Sequence, residues 1–307
     1  MDFGIDIGLK YIYPFLAVCI IIEFLVFRRE YELKDSFASF GVAAGATAIN
    51  FFAKVVVLGI FIFFSQLFEP IRMSLFGYDT FGFAWFVWII AILGDDFSFY
   101  WHHRFSHSIR LLWATHIVHH SSNTFNFTIA LRNGWFITFY KEIFWLWMPI
   151  IGFEPVMVAA CLIINATYQF FLHTKSVRDL GFIGKIFNNP WVHQVHHSCN
   201  VEYLDRNHGG IFIFWDKLFG TFVKRNKNIE PKFGVIHDPE SYNPLVINTH
   251  EYRDIWRDVR KSKKLRHKLM YILGPPGWSH DGSSMTTKQL RESLEEINEP
   301  VPVAVRA

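Results

Sequence analysis

Cysteine is scarce. The 307 residues hold three, Cys19, Cys161 and Cys199, and no two form a C-x-x-C pair. That excludes a disulfide framework and a thiolate zinc or iron–sulfur site. Cys19 and Cys161 sit in apolar runs and read as small hydrophobes. The formal charge is only +3, too small to point to nucleic acid. No HExxH occurs, which removes the zinc-protease arrangement. No Glu-x-x-His pair accompanies the histidines, so the carboxylate-rich ligand set of soluble di-metal bundles is missing as well. A glycine-rich dinucleotide fingerprint is also absent, and with it any built-in source of reducing equivalents.

Apolar residues are abundant: 51% hydrophobic and 18% aromatic, with 34 Phe and 11 Trp. This is more apolar surface than one soluble core hides. Four long runs carry it: Leu9–Phe27, Gly41–Phe68, Phe81–Ile92 and Trp135–Phe171. About 20 helical residues cross a ~30 Å hydrocarbon layer. Leu9–Phe27 stops at Arg28-Arg29-Glu30 rather than at small residues, so a span is expected here, not a cleaved leader. Gly41–Phe68 exceeds one span; a break near Asn50 or a tilt is expected, and Pro70 is expected to end it. Gly152, Glu154 and Pro155 divide the fourth run into a hairpin whose second arm, Val156–Phe171, delivers His173. Arg28, Arg29 and Lys34 in the first loop, with the basic stretch Lys224–Lys268, put that side in the cytoplasm. The expected fold is an all-α integral membrane protein with about four transmembrane helices and a cytoplasmic helical cap. Its parts are transmembrane helices (1–94), a catalytic domain (95–222, with the membrane hairpin at 135–171), and a basic C-terminal region (223–307) that closes on a short helix and a tail.

Histidine is the other surplus. Of 15, 11 lie between His102 and His208. The stretch Tyr100–His120 reads YWHHRFSHSIRLLWATHIVHH, and HQVHH follows at His193–His197. His103 and His107, His116 and His120, and His193 and His197 are each four apart, a spacing that shares a helix face. Adding His119, His173 and His196 gives nine imidazoles, enough for two metal ions with four or five nitrogens each. Such a set suits Fe, Zn or Cu, and redox-active iron fits a site beneath lipid that oxidises a C–H bond. Asp96 shares the face of Tyr100, His103 and His107 and is expected to steady an imidazole N–H. Asn126, Arg132, Asp205 and Asn207 are further candidates for that role. His102 points about 100° away from the first pair and is left out; His208 stays open between bystander and extra ligand. Trp135, Phe136, Phe139, Trp145 and Trp147 either line an acyl channel or pack helices. The rival classes are a membrane haem electron-transfer protein with paired axial histidines and a metal transporter lined by histidine.

The segments DDFSFYWHHRFSH, LLWATHIVHHSSNTFN, HQVHHSCN and DRNHGG, with WDKLFGTF at the end, resemble the fatty acid hydroxylase / sterol desaturase superfamily, and most of all its alkylglycerol monooxygenase-like branch. The resemblance covers roughly Asp95–Phe222. It implies that His103 and His107 form a first histidine box, that His116, His119 and His120 form a second, and that His193, His196 and His197 form a third. His173 matches an isolated fourth element. It further implies that these nine bind two Fe ions, with Zn able to replace them on purification. The implied reaction is O2-dependent hydroxylation or desaturation of a lipid, sterol, fatty acyl or ether lipid, with electrons from a separate reductase, cytochrome or ferredoxin-type donor.

Overall fold

The computed structural model describes residues 8–298. Among them the regular structure is helical, and the β-type pairings are isolated bridges, Phe187 with Phe212 and Ser198 with Phe233. The tail expected after the last helix lies outside the described residues from residue 299 on.

Helix α1 (Tyr13–Val26) opens with Pro14 in its first turn, where the missing N–H has no helical partner to lose. Helix α2 (Leu33–Phe76) is 44 residues long, about 66 Å at 1.5 Å per residue. It passes through both Asn50 and Pro70, against the expected break and end. Arg72 explains the second. Its buried guanidinium folds back and donates to the Ser65 carbonyl at 2.9 Å, to Asp79 O at 2.7 Å and to Ile150 O at 2.9 Å. Arg72 thereby ties the turn around Pro70 to the chain at Asp79 and Ile150, beside the Gln66 carbonyl that proline leaves without a donor. The helix stops instead at Gly77, whose φ of 74° suits a residue without Cβ and whose N–H closes on Met73 O.

Only one described stretch, Val55–Phe76, is by itself long and apolar enough to cross a bilayer. The four expected crossings therefore narrow to one clear candidate. Helix α1 has 14 residues and a later apolar helix, Pro155–Phe170, has 16. Helix α3 (Trp85–Ser108) begins apolar but carries Asp95, Asp96 and the first histidines in its second half. Large apolar side chains nonetheless face outward on all of these, Ile21, Phe63, Trp85 and Ile90 among them.

After α3 the chain turns through Ile109, in extended backbone, into α4 (Arg110–His120). The fourth apolar run is not two regular arms. It starts as 3-10 turns at Ile137–Phe139 and Lys141–Trp145, continues in the short α5 (Trp147–Ile151), reverses at Gly152 (φ 117°) and returns as α6 (Pro155–Phe170). Three of its indoles bond to neighbouring elements: Trp135 to Val42 O, Trp145 to Asp95 and Trp147 to Ser98, at 2.7–2.9 Å. These tryptophans pack helices, and Trp147 also lines an apolar cavity of about 400 Å³ with Phe86, Ile90 and Phe97. The main core joins α2, α3, α5 and α6 through Phe61, Ala91, Met148 and Met157.

Beyond lie the short α7 (Pro190–His196) and α8 (Phe214–Leu218), then α9 (Pro244–Lys261), α10 (Leu265–Leu273) and α11 (Thr287–Asn298). Asn189 and Asn243 cap α7 and α9 from the side chain, each followed by proline. The basic C-terminal region is not merely a solvated surface. Helix α9 braces α4, for Arg110 pairs with Glu251 at 2.7 Å and Asp258 at 2.8 Å.

Candidate metal centre

Four segments carry histidine to one place: the end of α3, the whole of α4, the turn after α6 and the helix α7. The nine rings form two groups. His103, His107, His116, His120 and His196 make one; His119, His173, His193 and His197 make the other; within each, the ligand atoms lie within 4.8 Å of one another. Helical geometry divides each box. His116 and His120 are one turn apart and face the first group, whereas His119, about 100° round the helix, faces the second. In α7, His196 turns to the first group while His193 and His197 turn to the second. The groups abut, with His120 stacked on His197 at 4.4 Å between ring centroids.

The outer nitrogens fix which inner ones are bare. His103 Nδ1 bonds to His208 O, His173 Nδ1 to Gln169 O and His196 Nδ1 to Arg206 O, each at 2.8 Å. His107 Nδ1 bonds to Asp205 Oδ1 at 3.0 Å. Carbonyl and carboxylate oxygens only accept, so these four rings carry the proton on Nδ1 and present a bare lone pair at Nε2. His173 Nε2 then stands 3.1 Å from His193 Nε2 and 3.2 Å from His197 Nε2, which are themselves 3.1 Å apart. Neutral rings cannot satisfy that triangle. If His193 and His197 both donate to His173, proton faces proton between them; if either gives up its proton, lone pair faces lone pair. One cation removes the conflict. Nitrogen ligands ~2.0–2.1 Å from a shared ion stand about 3 Å apart at right angles, as these do. The first group repeats the pattern: His116 Nε2 lies 3.0 Å from His103 Nε2 and 3.1 Å from His120 Nε2. His107 Nε2 and His196 Nε2 are buried without any hydrogen-bond partner. The donor set fits a nitrogen-bound metal in each group.

Residues 88–221, which hold all nine rings, match the fatty acid hydroxylase family. The chain is similar to the alkylglycerol monooxygenase of Homo sapiens, 34% identical over 224 residues, 72% of this chain and 49% of that protein. The alkylglycerol monooxygenase of Danio rerio is 36% identical over 196 residues, 64% of this chain and 43% of its own. The ornithine lipid hydroxylase OlsE of Rhizobium tropici is 26% identical over 140 residues, 44% and 41%. The chain spans about half the length of the curated relatives it matches. No solved structure matches it.

Within residues 88–221 the support around the metal groups differs from expectation. Of Asp96, Asn126, Asp205 and Asn207, Asp205 reaches a histidine ring. Asp96 instead accepts from the Ile211 and Phe212 N–H groups at 2.6 and 3.0 Å and from the Trp215 indole at 3.2 Å. Asn126 caps a 3-10 turn through Thr128 N and donates to Glu30 O. Asn207 bridges the backbone of Val223. Arg132 points away from the rings, to Asp35, Ser39 and Ser121. The ring of His208 stands 5.0 Å from that of His107 and outside the five-nitrogen group.

Sequence alone marks Asp205 and Asn207 but misses the carbonyls of Arg206 and His208 between and beside them. Asp205 and Asn207 adopt left-handed φ of 49° and 58°, a conformation Asp and Asn tolerate better than most. The resulting turn aims Asp205 Oδ1, Arg206 O and His208 O at three imidazoles of the first group. Two buried carboxylates hold it there. Asp216 accepts from His208 N at 2.7 Å, Gly209 N at 2.8 Å and Thr221 Oγ1 at 2.7 Å; Asp96 takes the N–H groups of Ile211 and Phe212. Glycine is needed between them, since a Cβ on Gly210 would sit 2.6 Å from Asp96 Oδ1 and one on Gly209 2.8 Å from Asp216 Oδ2. Burial raises the Asp216 carboxyl above its ordinary range, and its three donors oppose that rise. Asp216→Ala strips both backbone N–H groups of their acceptor. Metal affinity of the first group is expected to fall about 10–100-fold, as for other lost supporting partners, measured by chelator competition; unchanged affinity would contradict this role.

Burial holds the imidazoles neutral. It pushes His173 down to about 4 and His196 to about 3, and the others well below the histidine range, with neighbouring rings adding to it at most of them. The sign follows. In the unfolded chain these rings titrate near 6.5, so below that pH the unfolded state binds protons the folded site refuses. Stability present at neutral pH is lost as pH falls from about 6.5 toward 4. The melting temperature of the metal-free protein should be level above neutrality and drop steadily below it. A level profile through that window would contradict neutral burial.

Proposed function

We propose that this chain is a membrane-bound oxygenase that hydroxylates a lipid, with a pair of iron ions held by the nine histidines. The observation carrying this reading is the meeting of those rings in two adjoining all-nitrogen groups, with the outer nitrogens of His103, His107, His173 and His196 locked by acceptors. Iron bound there supplies O2 activation and removal of hydrogen from an unactivated C–H bond. The balance is R–H + O2 + 2 electrons + 2 protons giving R–OH + H2O, the electrons coming from a separate donor protein.

The protein's own part is orientation and exclusion. Asp205, Arg206 O and His208 O fix three rings of the first group so that their lone pairs converge, and Gln169 O fixes His173 in the second. Asp96 and Asp216 hold the turn that supplies the first three acceptors. The buried surroundings keep bulk water from the centre. The relatives' printed names favour hydroxylation over desaturation and a lipid with a polar head. Three crossings, by α1, α2 and the apolar half of α3, with the α5–α6 hairpin entering and returning on one side, would seat the centre at the bilayer surface. The basic residues of the first loop and the C-terminal region favour the cytoplasmic side.

The test is incorporation of label. Iron-loaded protein in bilayers, given a chemical reductant, 18O2 and a total lipid extract, should yield a lipid heavier by one 18O atom. Reductant-dependent O2 uptake should match that product, and protein lacking iron should yield none. Iron-loaded protein that labels no lipid would overturn the proposal.

A further inference from the structure

Helices α3 and α6 pack against each other and serve different metal groups. Helix α3 carries His103 and His107 of the first group, and α6 leads to His173 of the second. Much of what the two helices share is apolar, Val87 and Ala91 on one, Met157, Val158 and Cys161 on the other. Apolar surfaces of this kind permit small sliding of one helix past its neighbour. A polar link crosses between them. Asn165 is buried on α6, and its Nδ2 donates to Asp95 Oδ2 at 2.7 Å and lies 3.4 Å from Asp96 Oδ1. Its Oδ1 accepts from Gln169 Nε2 at 2.5 Å, and the Gln169 carbonyl is the acceptor that holds His173 Nδ1. Carboxylates only accept, which fixes the way the amide faces. The link lies at matching depth on both helices. Asp96 precedes His103 by seven residues and Asn165 precedes His173 by eight, about two helical turns in each case. A Cβ on Gly210, in the turn that Asp96 holds, would stand 2.9 Å from Asn165 Oδ1, so the amide has little slack.

We infer that Asn165 is a positioning residue that fixes the register of α6 against α3, and with it the spacing of the two metal groups. This rests on the two-ion reading above and adds to it a residue that binds no metal. A buried amide that must meet its partner selects one alignment among those that apolar packing allows, as a single buried asparagine does in coiled coils. A slip of one residue, ~1.5 Å along the axis, would leave the Asp95 carboxylate short of a donor and shift His173 relative to His103. The same amide reaches toward both carboxylates. Asp95 is anchored on its other oxygen by the Trp145 indole, and Asp96 by the Ile211 and Phe212 N–H groups. The link therefore joins the support of the second group, through Gln169, to the turn that orients the first.

The probe is copper(II) alone, added to the metal-free full chain, so no turnover is needed. Two Cu(II) ions held close together give a half-field electron paramagnetic resonance signal that weakens steeply as they part. The native protein should take up two ions and show this signal. Asn165→Leu should still take up two, counted by mass spectrometry, and lose the signal. A second variant separates alignment from stability. Asp95→Leu/Trp145→Phe/Asn165→Leu removes the stranded partners together, a change that is nearly neutral when apolar groups of similar shape replace both sides of a buried bond. Its melting temperature should return toward the native value while the signal stays lost, because apolar faces choose no register. A half-field signal retained by Asn165→Leu with both ions bound would overturn the inference. So would its return in the triple variant, which would trace the loss to a stranded carboxylate. Uptake of a single ion by the native protein would overturn the two-ion reading and this inference with it, and the copper count tells that failure from the other two.

Discussion

Replacing His193 by alanine is expected to release one metal ion per chain and leave the other. His193 belongs to the four-nitrogen group, and its loss leaves His119, His173 and His197. The five-nitrogen group shares no ring with it and should keep its ion. His103→Ala reverses the pattern in a graded way. Four nitrogens remain in the first group, so its ion is bound more weakly rather than lost. Turnover should fall in both by more than the ~10–100-fold that a lost supporting partner costs, because in the proposed function both ions serve one reaction. Metal content by mass spectrometry, beside product formation, reads the two effects separately. Loss of both ions from His193→Ala, or loss of none, would contradict independent groups.

The second large effect lies away from the metals. Arg132 is 1% exposed and Asp35, in the first turn of α2, 4%. The pair meets at 2.6 Å, and Arg132 also bonds Ser39 at 2.9 Å and Ser121 at 3.1 Å. Ser122 donates to Asp35 at 2.6 Å and Thr124 at 3.1 Å. Long helix α2 is thus pinned to the chain directly after the second histidine box. Asp35→Leu strands a buried guanidinium and should cost about 3–5 kcal/mol, lowering the melting temperature by roughly 10 °C. Arg132→Met should cost less, because Asp35 keeps its two hydroxyl donors. The double variant Asp35→Leu/Arg132→Met should recover most of the loss, as buried pairs replaced by apolar groups of similar size often do. A double variant as unstable as the two single losses added together would contradict a charge-pair origin.

These particulars mark what spacing along a chain can reveal. Helical periodicity gives a direction for each side chain, and it separates His119 from His116 and His120 before any fold is known. It does not say what waits in that direction. Asp96 shares a face with His103, yet it meets the N–H groups of Ile211 and Phe212, which come from a segment more than a hundred residues on. The carbonyls of Arg206 and His208 that orient two ligands have no letter of their own in a sequence. The turn that aims them did leave a trace in Asp205-Arg206-Asn207-His208-Gly209-Gly210, where two residues tolerant of left-handed backbone precede two glycines. Proline rules misjudge α2 because Arg72, two residues past Pro70, is held by the Ile150 carbonyl, which only the fold brings near. Apolar runs mark membrane-facing surface but not regular helix, since the arm from residue 135 to 151 breaks into short turns. His102 shows the converse. The angle that separates it from the metal face is legible, while its unpaired nitrogens and aromatic cage are properties of the packed molecule.

Whether the chain grips two ions through nitrogen alone is the point on which the rest depends. X-ray absorption at the iron edge, taken on iron-loaded protein with metal quantified in the same sample, addresses it most directly. The account predicts two irons per chain and a first shell dominated by imidazole nitrogen, four to five per ion. One ion per chain, or a shell containing sulfur, would contradict it.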